Sequence, residues 1–90
     1  MTLTIFDTKV NVRYEPNNDI LMLHAEGANM KNAYGQEGGI GILVFRNART
    51  DKFMGITVLD TCKDIKKREE ELKKLGVCLD LGFVCGSQTN

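Results

Sequence analysis

The segment that most restricts how this chain can fold is the turn at residues 15–19, which reads Glu-Pro-Asn-Asn-Asp. Proline sets φ for the first central position of a turn, and asparagine tolerates the left-handed backbone that a tight reversal needs. Short apolar runs flank this turn, Val10–Tyr14 before it and Ile20–Ala25 after it. The pattern therefore predicts a β-hairpin over residues 10–25.

Further strands are predicted on both sides of this hairpin. Leu3–Phe6 is a candidate first strand, and Ile40–Phe45 and Phe53–Leu59 are expected to pair as a second hairpin across the polar residues 46–52. Residues 26–39 lie between the hairpins and contain four glycines and two asparagines. That composition predicts a long, flexible loop.

One amphipathic helix is expected after the second hairpin. Thr61 can cap the first free N–H groups of a helix, and Asp64 three residues later completes a capping-box pattern. The helix should run to Leu75 and end at Gly76, because glycine suits the left-handed position at a helix C-terminus. Four residues at helical spacing form its narrow apolar face: Cys62, Ile65, Leu72 and Leu75.

These elements predict one α+β domain over residues 1–90. Its sheet is small and antiparallel, built from two β-hairpins (4–6 strands), with the amphipathic C-terminal helix packed on one face. Ninety residues are too few for two separately stable cores. Val77–Val84 is a candidate further strand, and residues 86–90 are expected to be a frayed tail.

Charge and cysteine content restrict the class of function. Twelve Lys and Arg residues balance twelve Asp and Glu residues, and the basic residues between Lys63 and Lys74 are interleaved with acidic ones. This is not the basic stripe that nucleic-acid binding requires. Met1–Phe6 does not begin a signal peptide, and no apolar run is long enough to cross a bilayer. We therefore expect a cytoplasmic protein without nucleic-acid or membrane contacts, whose three cysteines are reduced thiols.

Two stretches of the chain resemble a known family. Tyr14–Leu23 begins Tyr-Glu-Pro-Asn-Asn-Asp and continues as an apolar strand, and Met54–Cys62 reads Met-Gly-Ile-Thr-Val-Leu-Asp-Thr-Cys. With the glycine-led strand Gly39–Phe45, residues 12–64 resemble the short prokaryotic family called domain of unknown function 2283. The resemblance implies a small sheet-plus-helix fold and a protein-interaction role such as that of an antitoxin-like partner. It implies no catalytic residues.

The chain also departs from this family's pattern. The family has an acidic turn before its last strand, whereas residues 45–51 here read Phe-Arg-Asn-Ala-Arg-Thr-Asp. The long charged helix and the cysteine-containing tail lie outside the shared pattern. The resemblance therefore concerns the two hairpins and not the C-terminal third of the chain.

Cys62 and His24 are the candidate catalytic residues. Cys62 is predicted in the first turn of the helix, where free N–H groups and the helix dipole stabilise a thiolate. His24, the single histidine, would be its base. The alternatives are a Cys62 that is a buried apolar residue on the core face of the helix, and a His24 that is a sheet-facing or partly exposed side chain.

Two further patterns resemble ligand sites. Together with Cys62 and His24, Cys78 and Cys85 would supply four zinc ligands, but these two cysteines are seven residues apart on a predicted strand and so on opposite faces. The glycine-rich residues 35–41 lack the Gly-Lys-Ser/Thr of a phosphate-binding loop and are expected to begin a strand. We therefore predict no metal, no cofactor and no phosphate site.

The leading functional prediction is a small non-catalytic protein-interaction module, antitoxin-like or inhibitor-like, that forms a homodimer and can bind another protein. Ile40–Phe45 and Ile20–Leu23 are apolar on both faces, which is more apolar surface than one narrow helix can cover. A thiol-dependent enzyme or redox protein that uses Cys62 is the first alternative. A small-ligand sensor closed by the loop at 26–39 is the second.

Overall fold

The computed structural model describes residues 2–86, which form a six-stranded antiparallel sheet, two α-helices and a short 3-10 helix at Met30–Asn32. The strands are β1 (Thr2–Ile5), β2 (Thr8–Glu15), β3 (Ile20–Ala25), β4 (Ala33–Gly39), β5 (Ile42–Asn47) and β6 (Phe53–Val58), and the helices are α1 (Ile65–Lys74) and α2 (Gly82–Cys85). The strand order is β1-β2-β3-β6-β5-β4. The predicted α+β fold, an antiparallel sheet with a C-terminal helix packed on it, is confirmed.

Both predicted hairpins form. β2 and β3 pair from Val10–Ala25 to Glu15–Ile20 around the Pro16 turn, and Asp19 in that turn has a φ of +55°. β5 pairs with β6, and β6 also pairs with β3, as in Leu21 opposite Val58. The two hairpins are therefore joined through β3 and β6 at the centre of the sheet.

Residues 33–39 form the edge strand β4 and not the predicted loop. Two glycines allow this strand to lie close to β5. A Cβ atom at Gly35 would be 3.0 Å from the Phe45 ring, and one at Gly38 would be 2.7 Å from Cγ2 of Val44. These glycines suggested a loop in the sequence, but here their small size makes room for the side chains of the neighbouring strand.

The start of α1 differs from the prediction, whereas its end agrees. Residues 61–64 form a turn, and Oγ1 of Thr61 donates to the carbonyl of Val58 (2.9 Å) instead of capping a helix. The helix begins at Ile65, so Cys62 lies in the turn before it. At the other end, Gly76 has a φ of +89°, the left-handed conformation expected there.

The C-terminal segment contains a helix where a strand was predicted. Residues 77–80 are irregular and are followed by the four-residue helix α2. Asp80 stabilises this change of direction, since its Oδ1 accepts a hydrogen bond from the amide of Gly82 (2.8 Å). Of the predicted frayed tail, residues 87–90 lie outside the described residues.

The core lies between one face of the sheet, here called the inner face, and both helices. The following side chains have at most 1% of their surface exposed: Val10, Leu21, Leu23, Ile42, Ile56, Val58, Thr61, Leu72, Leu81 and Cys85. Leu72 is the central apolar contact of α1, and Ile65 and Leu75 flank it as partly buried neighbours. The predicted apolar face of the helix is therefore the face that packs. Among residues 2–86 no helix has the length and apolar character that a membrane crossing requires.

Candidate functional site

Asp19 connects the β2–β3 turn to the turn that precedes α1. Its carboxylate accepts hydrogen bonds from the amides of Cys62 (2.9 Å) and Lys63 (3.0 Å), and its backbone carbonyl accepts one from the amide of Thr61 (3.0 Å). The hydroxyl of Tyr14 donates to Oδ1 of Asp19 at 2.7 Å. Asp19 thus accepts the hydrogen bonds of free amides before α1, a role that the sequence assigned to the side chains of Thr61 and Asp64.

The carboxyl of Asp19 is held in its ionised form. Burial raises the pKa of Asp19, but hydrogen bonds from Tyr14 and from the amides of Cys62 and Lys63 lower it, as does the charge of Arg68. The lowering contributions prevail, so the pKa lies below the ordinary aspartate value. Folding and ionisation of Asp19 therefore favour each other.

We predict that acidification destabilises the wild-type protein more steeply than Asp19→Asn. Because the pKa of Asp19 is lower in the folded than in the unfolded chain, its contribution to stability is complete above the unfolded value of about 4. The contribution is lost as the pH falls through the folded value. Urea denaturation in steps from about pH 6 to about pH 2.5 measures the difference. Glu26→Gln, a change of an exposed carboxyl, is the matched control and should follow the wild type. Parallel pH profiles for the wild type and Asp19→Asn would contradict the prediction.

Cys62 and Cys85 are joined by a disulfide, with their Cα atoms 5.3 Å apart. The expectation of three reduced thiols is therefore wrong for these two residues, and Cys78 is the unpaired, exposed cysteine. The pairing depends on α2, which turns the buried Cys85 toward the turn that carries Cys62. Since a strand was predicted where α2 forms, this contact could not be predicted from the sequence. Sγ of Cys62 also lies 3.3 Å from the hydroxyl of Tyr14.

His24 lies on the other side of the sheet, here called the outer face. Its ring makes an edge contact with Phe45, with the centroids 6.2 Å apart, and the two residues flank Gly55 on β6. A Cβ atom at Gly55 would be 3.1 Å from Cδ2 of His24, so this glycine makes room for the ring. Burial lowers the pKa of His24, and the charge of Arg13 lowers it further.

The two candidate catalytic residues are not brought together. Cys62 contacts Tyr14, which packs against the core on the inner face, whereas His24 is on the outer face. Cys62 is moreover bonded to Cys85, so its sulfur is not a free nucleophile in this state. The predicted pairing of a Cys62 thiolate with a His24 base is absent from the described residues.

The outer face carries two rows of side chains that run across five strands. The register places them directly opposite one another as Arg13, Met22, Thr57, Leu43 and Glu37 in one row, and Asn11, His24, Gly55, Phe45 and Gly35 in the other. Both helices pack on the inner face. The apolar members of these rows, Met22, Leu43 and Phe45, are therefore only half-buried.

A groove of about 260 Å³ borders this face, lined in part by Met22, His24, Gly27, Ala28 and Met30. It is smaller than most small-molecule sites. β4 is paired in the sheet and does not close over the groove. For metal binding, residues 2–86 offer no group of three or more His, Cys, Asp or Glu side chains that could hold an ion.

Comparisons of the chain with family models, with curated proteins and with solved structures found no match. The resemblance of residues 12–64 to the domain of unknown function 2283 family therefore stays a prediction. The candidate functional regions of this chain are its outer face and the region around Asp19 and the disulfide.

Proposed function

We propose that the protein is a small non-catalytic interaction module that works as a homodimer through its outer face. The observation that carries this proposal is the group of half-buried apolar side chains, Met22, Leu43 and Phe45, on the face that both helices leave open. A large apolar side chain contributes about 1.5–3 kcal/mol when it is fully removed from water. The C-terminal segment does not cover these residues, because Leu81 and Cys85 pack into the core on the inner face.

The charges at the two ends of one row suit a second copy of the chain. Arg13 lies at the β2 end and Glu37 at the β4 end, both exposed, with three uncharged residues between them. Neighbouring strands are about 4.8 Å apart, so the row spans about 19 Å. A twofold axis parallel to the central strand β6 would place β2 of one copy over β4 of the other. Arg13 would then face Glu37 at both ends of an apolar centre, the arrangement common in stable interfaces.

The same axis gives a compatible arrangement for the second row. His24 would face Phe45 of the other copy, and Gly55 would face its own equivalent on the axis. Gly55 has no side chain to hold the two faces apart, and aromatic rings such as those of His24 and Phe45 pack well edge to face. Both rows therefore support one mode of association.

We predict a dimer at micromolar concentration and pH 7, measured by sedimentation equilibrium. Arg13→Glu and Glu37→Arg should each weaken association about tenfold or more, because like charges then meet at both ends of the interface. The combined variant Arg13→Glu/Glu37→Arg should restore it. Arg49→Glu, an exposed charge reversal in the connection between β5 and β6, is the control and should leave the dimer unchanged.

Two results would contradict parts of this proposal separately. A species with the mass of one chain would contradict the homodimer itself. A dimer that tolerates both single charge reversals would contradict the twofold arrangement of the outer faces, and Leu43→Asp would then show whether this face takes part at all.

A further inference from the structure

We propose that Cys62 and Cys85 form a reversible thiol–disulfide pair that fastens residues 77–86 to the core and releases them when a dithiol reduces the bond. This inference does not depend on the proposed dimer, because the pair lies at the inner side of the sheet. It assigns a redox-responsive site and the chemical class of its reaction partner.

Besides the disulfide, apolar packing and a small number of hydrogen bonds hold this segment. The amide of Val77 donates to the carbonyl of Leu72 (2.9 Å), and the amide of Leu81 donates to Oε2 of Glu69 (2.8 Å). α2 has four residues, and a helix of that length is unstable without tertiary contacts. The position of the segment depends on the burial of Val77, Leu81 and Cys85 and on the covalent bond to Cys62. Leu79 and Val84 add partly buried contacts. Breaking that bond removes the covalent cross-link between the segment and the turn before α1.

The two cysteine residues differ in exposure, and this difference sets the course of the reaction. Cys62 is partly exposed in the turn before α1, whereas Cys85 has no exposed surface. A thiolate of the dithiol attacks Sγ of Cys62, the Cys62–Cys85 bond breaks, and the departing Cys85 sulfur takes up a proton. The second thiol of the reductant, after losing its proton, displaces Cys62, which is protonated in turn. Two electrons pass to the protein and the dithiol becomes a disulfide.

The surroundings of Cys62 suit the reduced state as well as the oxidised one. The Tyr14 oxygen lies 3.3 Å from the sulfur and gives its own proton to Asp19, so a Cys62 thiol finds an acceptor in place. The reduced side chain therefore keeps a hydrogen-bond partner in this turn, so the turn suits both states of the bond.

Amide hydrogen exchange measured by NMR on the full chain tests the proposal. The amides of Leu81, Val84 and Cys85 donate hydrogen bonds in the docked segment and are the reporters. Reduction with dithiothreitol should speed their exchange at least tenfold, while amides of β3 and β6 keep their protection. Oxidised glutathione, added after removal of the reductant, should restore both the bond and the slow exchange.

Cysteine variants separate the bond from general effects of the reductant. Cys62→Ser/Cys85→Ser should show the fast exchange without any reductant, and Cys78→Ser should respond like the wild type. Unchanged exchange at the reporters, with alkylation showing three free thiols, would overturn the proposal. So would a loss of protection throughout the sheet, or a bond that dithiothreitol cannot reduce while the protein is folded, since either would make the disulfide a permanent structural cross-link.

Discussion

Leu72→Ala is expected to lower the free energy of unfolding by about 2–5 kcal/mol. Leu72 has no exposed surface and is the fully buried apolar residue of α1. Its removal takes away the contact between the middle of the helix and the inner face of the sheet. α1 and α2 are short, with ten and four residues, so the structure around the cavity has little else to fill it.

Urea denaturation at fixed protein concentration measures this cost, with Leu75→Ala as the matched control. Leu75 is the same residue type, less than one turn further along, but it is only partly buried at the edge of the core. Its replacement should therefore cost clearly less than that of Leu72. A loss below about 0.5 kcal/mol for Leu72→Ala would mean that α1 packs through another face.

The elements that depend on neighbouring residues could be predicted from the sequence. The Pro16 turn determines the β2–β3 hairpin, and Gly76 marks the end of α1 because its left-handed conformation suits glycine. The second apolar face of β3 and β5, with Met22, Leu43 and Phe45, was also visible as an unbroken apolar run in each strand. In each case the information lies within a few residues of the element that it specifies.

The features that were missed depend on contacts between distant parts of the chain. β4 is rich in glycine, which favours a loop locally, but the close fit of Gly35 against Phe45 favours a strand. Asp19 was recognised only as a turn residue. Its carboxylate reaches the amides of Cys62 and Lys63 because β3 and β6 lie side by side. No sequence pattern near Asp19 predicts that pairing of strands.

Arg68 makes a further contact between parts of the chain that are separated in sequence. It is 7% exposed, and its Nε donates to the carbonyl of Leu59 at 2.7 Å. Charged side chains of an amphipathic helix usually face water, yet Arg68 lies beside Gly41, where a Cβ atom would be 2.5 Å from its Nε. The absence of a side chain at Gly41 therefore gives the guanidinium a place between the β4–β5 turn and the end of β6. Its charge in turn helps to lower the pKa of Asp19.

Loss of the Cys62–Cys85 bond is the second change expected to have a large effect, about 3 kcal/mol of the free energy of unfolding. The bond closes a loop between residues 23 positions apart. In the chain-entropy account a cross-link of that length restricts the unfolded chain by roughly 3 kcal/mol at 25 °C. Reduction returns that freedom to the unfolded chain and so favours unfolding.

Comparing the oxidised with the reduced wild-type protein isolates the bond, because every side chain is otherwise the same. Urea denaturation with and without dithiothreitol should show the full loss for the wild type and for Cys78→Ser. Cys62→Ser/Cys85→Ser should be less stable from the start and should not respond to the reductant. Cys78 is exposed and unpaired, so its replacement alone should change stability by less than about 0.5 kcal/mol. If reduction cost the wild type less than about 1 kcal/mol, the unfolded chain would already keep residues 62 and 85 close together, and the entropic account would not hold for this loop.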